Sequence, residues 1–221
     1  MAMLKIPGYE NQRPGEVPLS AVRDLLGDCR RCPLCETRTN IVFGDGDPCA
    51  RVVIVGEAPG KNEDLSGVPF VGAAGKKLDA LLEIAGLRRD DVFICNVLKC
   101  RPPSNRDPRP EEIAECSPFL REQIRSVWPD VIVCLGNFAT RFILRTEQGI
   151  TSLRGRFYET GHFHVLPVFH PAAAIYDRTK QASLEADFAL LGQWLAEHPA
   201  AGAATAGGAE PATGAEPAGE E

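Results

Sequence analysis

The chain has 221 residues, 44% of them hydrophobic, and a formal net charge of −6. That length suits one domain with short additions, and the composition allows a sizeable core. No stretch is apolar for long enough to span a bilayer, and Met1–Pro18 lacks the basic start and apolar run of a secretory signal, so a cytoplasmic protein without membrane contact is expected.

In chain order, Leu19–Leu26 reads as a helix ahead of the first cysteines. The apolar run Val52–Val55 reads as a first strand. Lys76–Ala85 then puts Leu78, Leu81, Leu82 and Ala85 on one helical side, with Gly86 as the stop. Val92–Val97 is a second strand. Pro110–Val127 follows as a helix whose Pro110-Glu111-Glu112 start suits a first turn and whose end falls before Pro129. Val131–Leu135 and Val165–Phe169 complete the strands, and Asn137–Leu144 and Ser183–Ala196 the helices. From Pro199 the chain is mostly Ala, Gly, Pro and Thr with Glu210, Glu216, Glu220 and Glu221, a composition too poor in apolar surface to fold. The expected division is therefore a domain over 1–198 and a disordered tail over 199–221. Without those four carboxylates the net charge moves from −6 to −2, while Lys99, Arg101, Arg106 and Arg109 crowd one loop. Local charge governs phosphate contact, so overall acidity does not exclude DNA.

Strands rich in Val and Ile alternating with helices predict an α/β fold, a three-layer α/β/α sandwich around a central, mainly parallel four-stranded sheet. Ligands in such folds gather beyond the carboxyl ends of the strands. There the chain places Gly56-Glu57, Asn96, Gly136-Asn137 and His170-Pro171, so one site assembled from all four is expected.

Eight cysteines in a reducing compartment favour metal binding over disulfides. Cys95 and Cys134 sit in apolar strands and read as core, and Cys49 has no assigned role. Cys29, Cys32 and Cys35 are spaced by two residues each, a pattern that turns thiolates to a common centre. Cys100 and Cys116 flank a proline-rich loop and a helix start. Such a set suits zinc or an iron–sulfur cluster; the second Cys-x-x-Cys of a zinc ribbon is missing, and Glu36 stands where haem attachment needs His. Spacing alone leaves five cysteines for four positions.

Gly56-Glu57-Ala58-Pro59-Gly60 matches neither standard phosphate loop: a Walker loop needs four residues between its glycines, and the dinucleotide fingerprint needs Gly where Ala58 stands. Glu57, Glu63 and Asp64 would repel phosphate and suit water or sugar hydroxyls. Phe70 lies in an apolar loop bounded by Gly67 and Gly72. Asn96 ends a buried strand, where its donor and acceptor suit a nucleobase edge. His170 stands at the last strand end.

Together these stretches resemble the family 4 uracil-DNA glycosylases, within the wider uracil-DNA glycosylase superfamily. The resemblance rests on Cys29-x-x-Cys32, Val42-Phe43-Gly44, Gly56–Gly60 with Glu63-Asp64, Pro69–Gly72, Asn96–Arg106, Cys116, Leu135-Gly136 and His170-Pro171-Ala172, and runs in order from about Leu19 to about Leu195. It implies a 4Fe–4S cluster on Cys29, Cys32, Cys100 and Cys116, with Cys35 an extra thiol. It implies a uracil pocket in which Phe70 stacks on the base, Asn96 reads its polar edge, His170 faces a carbonyl oxygen, and Gly56, Ala58 and Gly60 lie by the sugar. Ala58 occupies the position where other superfamily members carry a catalytic Asp, which leaves Glu57, Glu63 and Asn105 as candidates for handling water or the sugar cation.

The expected reaction is excision of uracil from DNA, single- or double-stranded, by a monomer that flips the nucleotide out. Arg101 and Arg106 would meet phosphates, and Ile175, Tyr176 and Arg178, in a segment similar to the family's minor-groove insertion loop, would fill the vacated stack. On this view the cluster holds a DNA-binding loop. A non-catalytic nucleic-acid-binding module is the main rival. A zinc deaminase would need His-x-Glu and Pro-Cys-x-x-Cys, which are absent, and no inserted basic loop of a product-trapping relative follows Asp64 or Phe70.

Overall fold

A computed structural model describes residues 4–200; the expected tail lies outside the described residues from position 201 onward. The elements are α1 (Leu19–Leu26), β1 (Asp45–Gly46), β2 (Val52–Gly56), α2 (Lys61–Ser66), α3 (Ala73–Ile84), β3 (Phe93–Asn96), α4 (Pro110–Val127), β4 (Val131–Leu135), α5 (Gly136–Leu144), α6 (Ile150–Leu153), β5 (Tyr158–Thr160), β6 (Phe163–Val168), α7 (Ala173–Tyr176) and α8 (Arg178–Glu197). Strand order is β1-β3-β2-β4-β6-β5, with β3, β2, β4 and β6 parallel.

Every residue of β2, β3 and β4 is buried, because helices cover both faces of the sheet. Successive side chains in a strand point to opposite faces, and the two cores follow that period. Val53, Val55, Cys95, Ile132 and Cys134 pack with Val22 and Leu26 of α1 and Phe119 and Leu120 of α4. Val52, Ile54, Ile94, Val131 and Val133 pack with Leu78 and Leu82 of α3 and Leu184, Phe188 and Leu191 of α8. This is the expected three-layer sandwich, with Cys95 and Cys134 as core residues.

The sheet has six strands, which corrects the expected four. The additional pair are short antiparallel edges: β1 lies against β3, and β5 folds back on β6 across a turn at Gly161 and His162. Two residues of Asp and Gly, and a three-residue strand with only Tyr158 partly buried, leave no apolar run to read. The last helix begins at Arg178 and not near Ser183, because Asp177 caps it by accepting from the Thr179 amide at 3.0 Å. The expected loop 172–178 is therefore the short turn α7 followed directly by that cap.

The connection after β2 leads to α3 on one face, and those after β3 and β4 lead to α4 and α5 on the other. Chains that part to opposite faces leave a crevice at the carboxyl ends of the strands between them. Several of the polar residues expected at the strand ends gather there.

Candidate active site

A cavity of about 410 Å³ opens at that crevice, lined by Glu57, Ala58, Gly60, Glu63, Phe70, Asn96, Asn105, Arg106 and His170 among others. The carboxyl ends of β2, β3 and β6 thus converge on one space, as does the loop before α3. Phe70 is held in a left-handed conformation, φ 52°, with its ring 5.9 Å from that of His170 and the planes 30° apart. Its loop is pinned from below by Glu63, whose Oε1 accepts from the amides of Val71 and Gly72, each at 3.0 Å.

His170 follows the buried end of β6 and is mostly enclosed. Burial lowers its pKa below the ordinary histidine value, opposed by the Glu63 carboxylate. The ring is therefore neutral at pH 7. Its Nδ1 accepts from the Ala172 amide at 3.2 Å, which puts the proton on Nε2. The site holds a neutral imidazole that donates from one known atom.

Asn96 is 2% exposed, and its Oδ1 has no hydrogen-bond partner among the described residues. A buried acceptor left open in this way is costly unless a ligand fills it. Gly56 makes the space: a Cβ there would collide with Asn96 Oδ1 and come within 2.7 Å of Phe70 Cζ. Gly56→Ala is accordingly expected to weaken binding of the free base by roughly tenfold or more, the cost of displacing one buried polar contact. Competitive inhibition by the base checks this, with the melting temperature as control for folding.

Lys99 corrects the reading of a cationic phosphate loop. It is 1% exposed, and its Nζ donates to the Asn96 carbonyl at 2.6 Å. The apolar run continues through Val97 and Leu98, both fully buried, and carries Lys99 inward with it. The Lys99 amide donates to Cys116 Sγ at 3.2 Å, so one residue joins the end of β3 to the thiols.

The three carboxylates differ in freedom. Asp64 is buried and accepts from the amides of Thr39 at 2.8 Å and Asn40 at 3.4 Å, a structural use that corrects the reading of it as a water or sugar contact. Glu63 is committed to the Phe70 loop. The Glu57 carboxylate makes no hydrogen bond among the described residues, and burial, with Asp107 nearby, raises its pKa above the ordinary glutamate value. Asn105 has a left-handed backbone, φ 53°, and its Oδ1 accepts from Arg101 Nε at 2.7 Å, leaving the amide hydrogens for the cavity.

Cys29, Cys32, Cys100 and Cys116 line a second, smaller cavity behind the strand ends, and Cys35 is not part of its lining. Hydrogen-bond donors surround the sulfurs: Arg31 reaches Cys29 at 3.4 Å and Arg38 reaches Cys100 at 3.6 Å. Burial pushes the Cys100 thiol up to about 12 and that of Cys116 to about 11. Four thiols facing one chamber are a donor set that suits a sulfur-ligated metal group.

Arg106 also lines the main cavity, but its guanidinium is paired with Glu112, at 2.5 and 3.0 Å. Glu112 in turn caps α4 by accepting from the Arg109 amide at 2.9 Å. Ile175, on α7 five residues beyond His170, is 46% exposed. Tyr176 ends α7 and the exposed Arg178 begins α8.

Comparison with known proteins gives this geometry its relatives. Residues 43–195 match the uracil DNA glycosylase superfamily. The chain is 47% identical over 180 residues to the Type-4 uracil-DNA glycosylase of Archaeoglobus fulgidus, covering 78% of this chain and 90% of that one. It is 46% identical over 165 residues to the Type-4 uracil-DNA glycosylase of Thermotoga maritima, covering 74% and 86% respectively. Similarity to the Type-5 uracil-DNA glycosylase of Pyrobaculum aerophilum is lower, 34% over 144 residues and 58% of this chain.

Proposed function

The chain belongs to the uracil DNA glycosylase superfamily, alongside its Type-4 members, and from that membership we propose how its residues excise uracil from DNA. The reaction hydrolyses the N-glycosidic bond and leaves an abasic site, the opening step of base excision repair. No helix among the described residues is long and apolar enough to cross a membrane. We assign the enzyme to the cytoplasm, as a monomer acting on single- or double-stranded DNA, with residues 1–198 as the catalytic domain.

The extruded uracil stacks on Phe70 and meets Asn96 edge to edge. The open Asn96 Oδ1 accepts from the base N3–H while the side-chain NH₂ donates to O4; cytosine, which presents an amino group there, is refused. As the bond from C1′ to the base breaks, its electron pair moves into the uracil ring. His170 Nε2–H donates to the carbonyl oxygen that takes up this charge, which a neutral imidazole does without needing to give up its proton. Glu57 orients water toward C1′ and stabilises the cationic sugar. It is the free carboxylate of the cavity, where Glu63 is bound to the Phe70 loop and the Asn105 Oδ1 to Arg101. The observation that carries this reading is the meeting, in one cavity, of an unpartnered base-reading amide, an aromatic face and a neutral histidine.

Cys29, Cys32, Cys100 and Cys116 would hold a 4Fe–4S cluster. When bound, its chemistry here is four iron–thiolate bonds that cross-link the segment after α1, the end of the β3 region and α4. Arg101 and Arg106 then sit on a loop fixed at both ends, and Ile175, Tyr176 and Arg178 enter the stack that the flipped base leaves.

A uracil-containing oligonucleotide incubated with the enzyme and then with alkali tests the reaction: strand breakage at uracil and not at cytosine is expected. Glu57→Gln should lower kcat by about 10²–10⁴, the usual worth of a positioned base. In the parent enzyme the acid limb of kcat/KM should lie above the ordinary glutamate pKa, since the folded value is raised, and that limb should vanish in the variant. An unchanged limb would pass the role to another group.

A further inference from the structure

Three cavities lie side by side across this molecule. The active-site cavity and a larger one of about 830 Å³ share Glu57 and His170. That larger cavity and a third, of about 400 Å³, share Phe142 and Arg145. The track leaves the reacting centre beside His170, runs back along the flank of α5 and ends at Trp128, just beyond α4. The nine residues of α5 cover about 13 Å, the length of roughly four stacked nucleotides.

The chemistry changes along it. Glu57, Asp107 and Glu147 line the inner part together with Arg141 and Arg145. The outer cavity has three guanidinium groups, Arg121, Arg125 and Arg145, and no carboxylate in its lining, in a chain whose net charge is −6. Arg121 lies over the Phe142 ring at 5.7 Å, and Arg125 is held by Glu122 and the Gln12 carbonyl. Trp128, 37% exposed, stacks on His162 with ring centres 4.2 Å apart and planes 8° from parallel.

The backbone singles out the same places. Five described residues other than glycine have positive φ: Phe70, Ser104, Asn105, Trp128 and Arg145. The first three belong to the active-site loops. Trp128 and Arg145, both at φ 52°, close the C-termini of α4 and α5, where glycine is the unstrained choice. Both line the outer cavity. Strained positions cluster where side chains are held for a purpose.

We propose that the outer cavity is a single-stranded DNA subsite, which takes the strand continuing from the extruded uridine, with a base against Trp128 and phosphates on Arg145 and its neighbours. The proposal rests on the uracil pocket described above, since the track adjoins it at Glu57 and His170. Arginines alternating with aromatic faces along a groove suit a single strand, whereas a duplex is too wide to follow the flank of one helix.

The test uses the full chain and single-stranded oligonucleotides carrying uracil near one end, with flanks of about two or about ten nucleotides on the 5′ or the 3′ side, the longer exceeding the track at 3.4 Å per nucleotide. Arg145→Gly and Trp128→Gly remove the side chains while suiting the positive φ. For the parent enzyme, KM is expected to fall about tenfold as one flank lengthens, with a salt dependence steeper by about 0.7 per phosphate engaged. Both variants should lose that gain and keep the parent kcat and the parent KM for the short substrate. Should Trp128→Gly fold poorly, Arg145→Gly decides alone. Flank dependence equal in variant and parent, or absent from the parent, overturns the proposal and leaves the groove to another occupant. If no uracil oligonucleotide is cleaved, the catalytic reading fails separately; affinity for a thymidine homopolymer, weakened in Arg145→Gly or not, still decides the subsite.

Discussion

His170→Ala is expected to lower kcat for uracil release by about 10²–10³, the measured worth of one donor to a developing oxyanion, and to leave DNA affinity within about threefold. The asymmetry follows from geometry. The imidazole lines the cavity at the strand ends and is mostly enclosed, so on the proposed mechanism it acts only once the nucleotide has entered. Its proton sits on Nε2 because Nδ1 is occupied by the Ala172 amide. Single-turnover cleavage set against anisotropy of a labelled uracil oligonucleotide measures the two effects apart. An equal loss in both would make His170 a structural residue.

The same residue leaves a mark on stability. Its folded pKa lies below the unfolded value of about 6.5 because burial disfavours the imidazolium. Below that value the unfolded chain binds a proton that the folded one resists. Stability is therefore fully present above about pH 6.5 and is lost as the pH falls toward the folded pKa. The melting temperature of the parent should decline over that interval, and His170→Ala should flatten the decline. The Glu57 limb is told apart from it by the variants, since Glu57→Gln removes the catalytic limb and His170→Ala flattens the decline in stability.

Cys100→Ser or Cys116→Ser is expected to abolish the visible iron–sulfur absorption and lower the melting temperature by roughly 10–15 °C. A group bound at about a thousand times its dissociation constant adds roughly 4 kcal/mol, and a chain of this size shifts by about 2–4 °C per kcal/mol. Both residues lie in the interior, one at the end of the β3 run and the other in α4, so their loss unties the loop between them from the sheet. Cys35→Ser should keep colour and melting temperature, because Cys35 lies outside the four-thiol chamber. Loss of colour in that variant would reject the ligand set. Absorption spectra and thermal melts of the three variants, prepared without oxygen, are sufficient.

Much of this architecture is legible in the chain because buried parallel strands announce themselves. Val52–Val55 and Val131–Leu135 are continuous apolar runs, and each ends in a residue with an odd chemical character for its place. The edge strands are not legible, since β1 and β5 are held by pairing with a neighbour and bury little of their own. Lys99 is misread for a related reason. Charge in a sequence suggests solvent, and only the packing of Val97 and Leu98 on either side of the sheet end shows that the chain has not yet surfaced there. Asp64 carries no sign in its neighbours that it serves the amides of Thr39 and Asn40, because that contact spans 25 positions. The same holds for the choice among Glu57, Glu63 and Asn105. All three are polar residues in loops beyond strand ends, and what distinguishes them is which of their oxygens the fold has already used.

The stretch from Asn96 to Cys100 joins the open amide of the base cavity to one of the four thiols of the second chamber, and Lys99 ties it at two points, to the Asn96 carbonyl and to Cys116. The chain bends at Val97, Lys99 and Cys100, and those two bonds fix the spacing across the bends. Adding or deleting a single residue there would break one of them, whatever the new residue was. The strand end and the thiols are thus held at one distance, and the segment between them has little freedom in length.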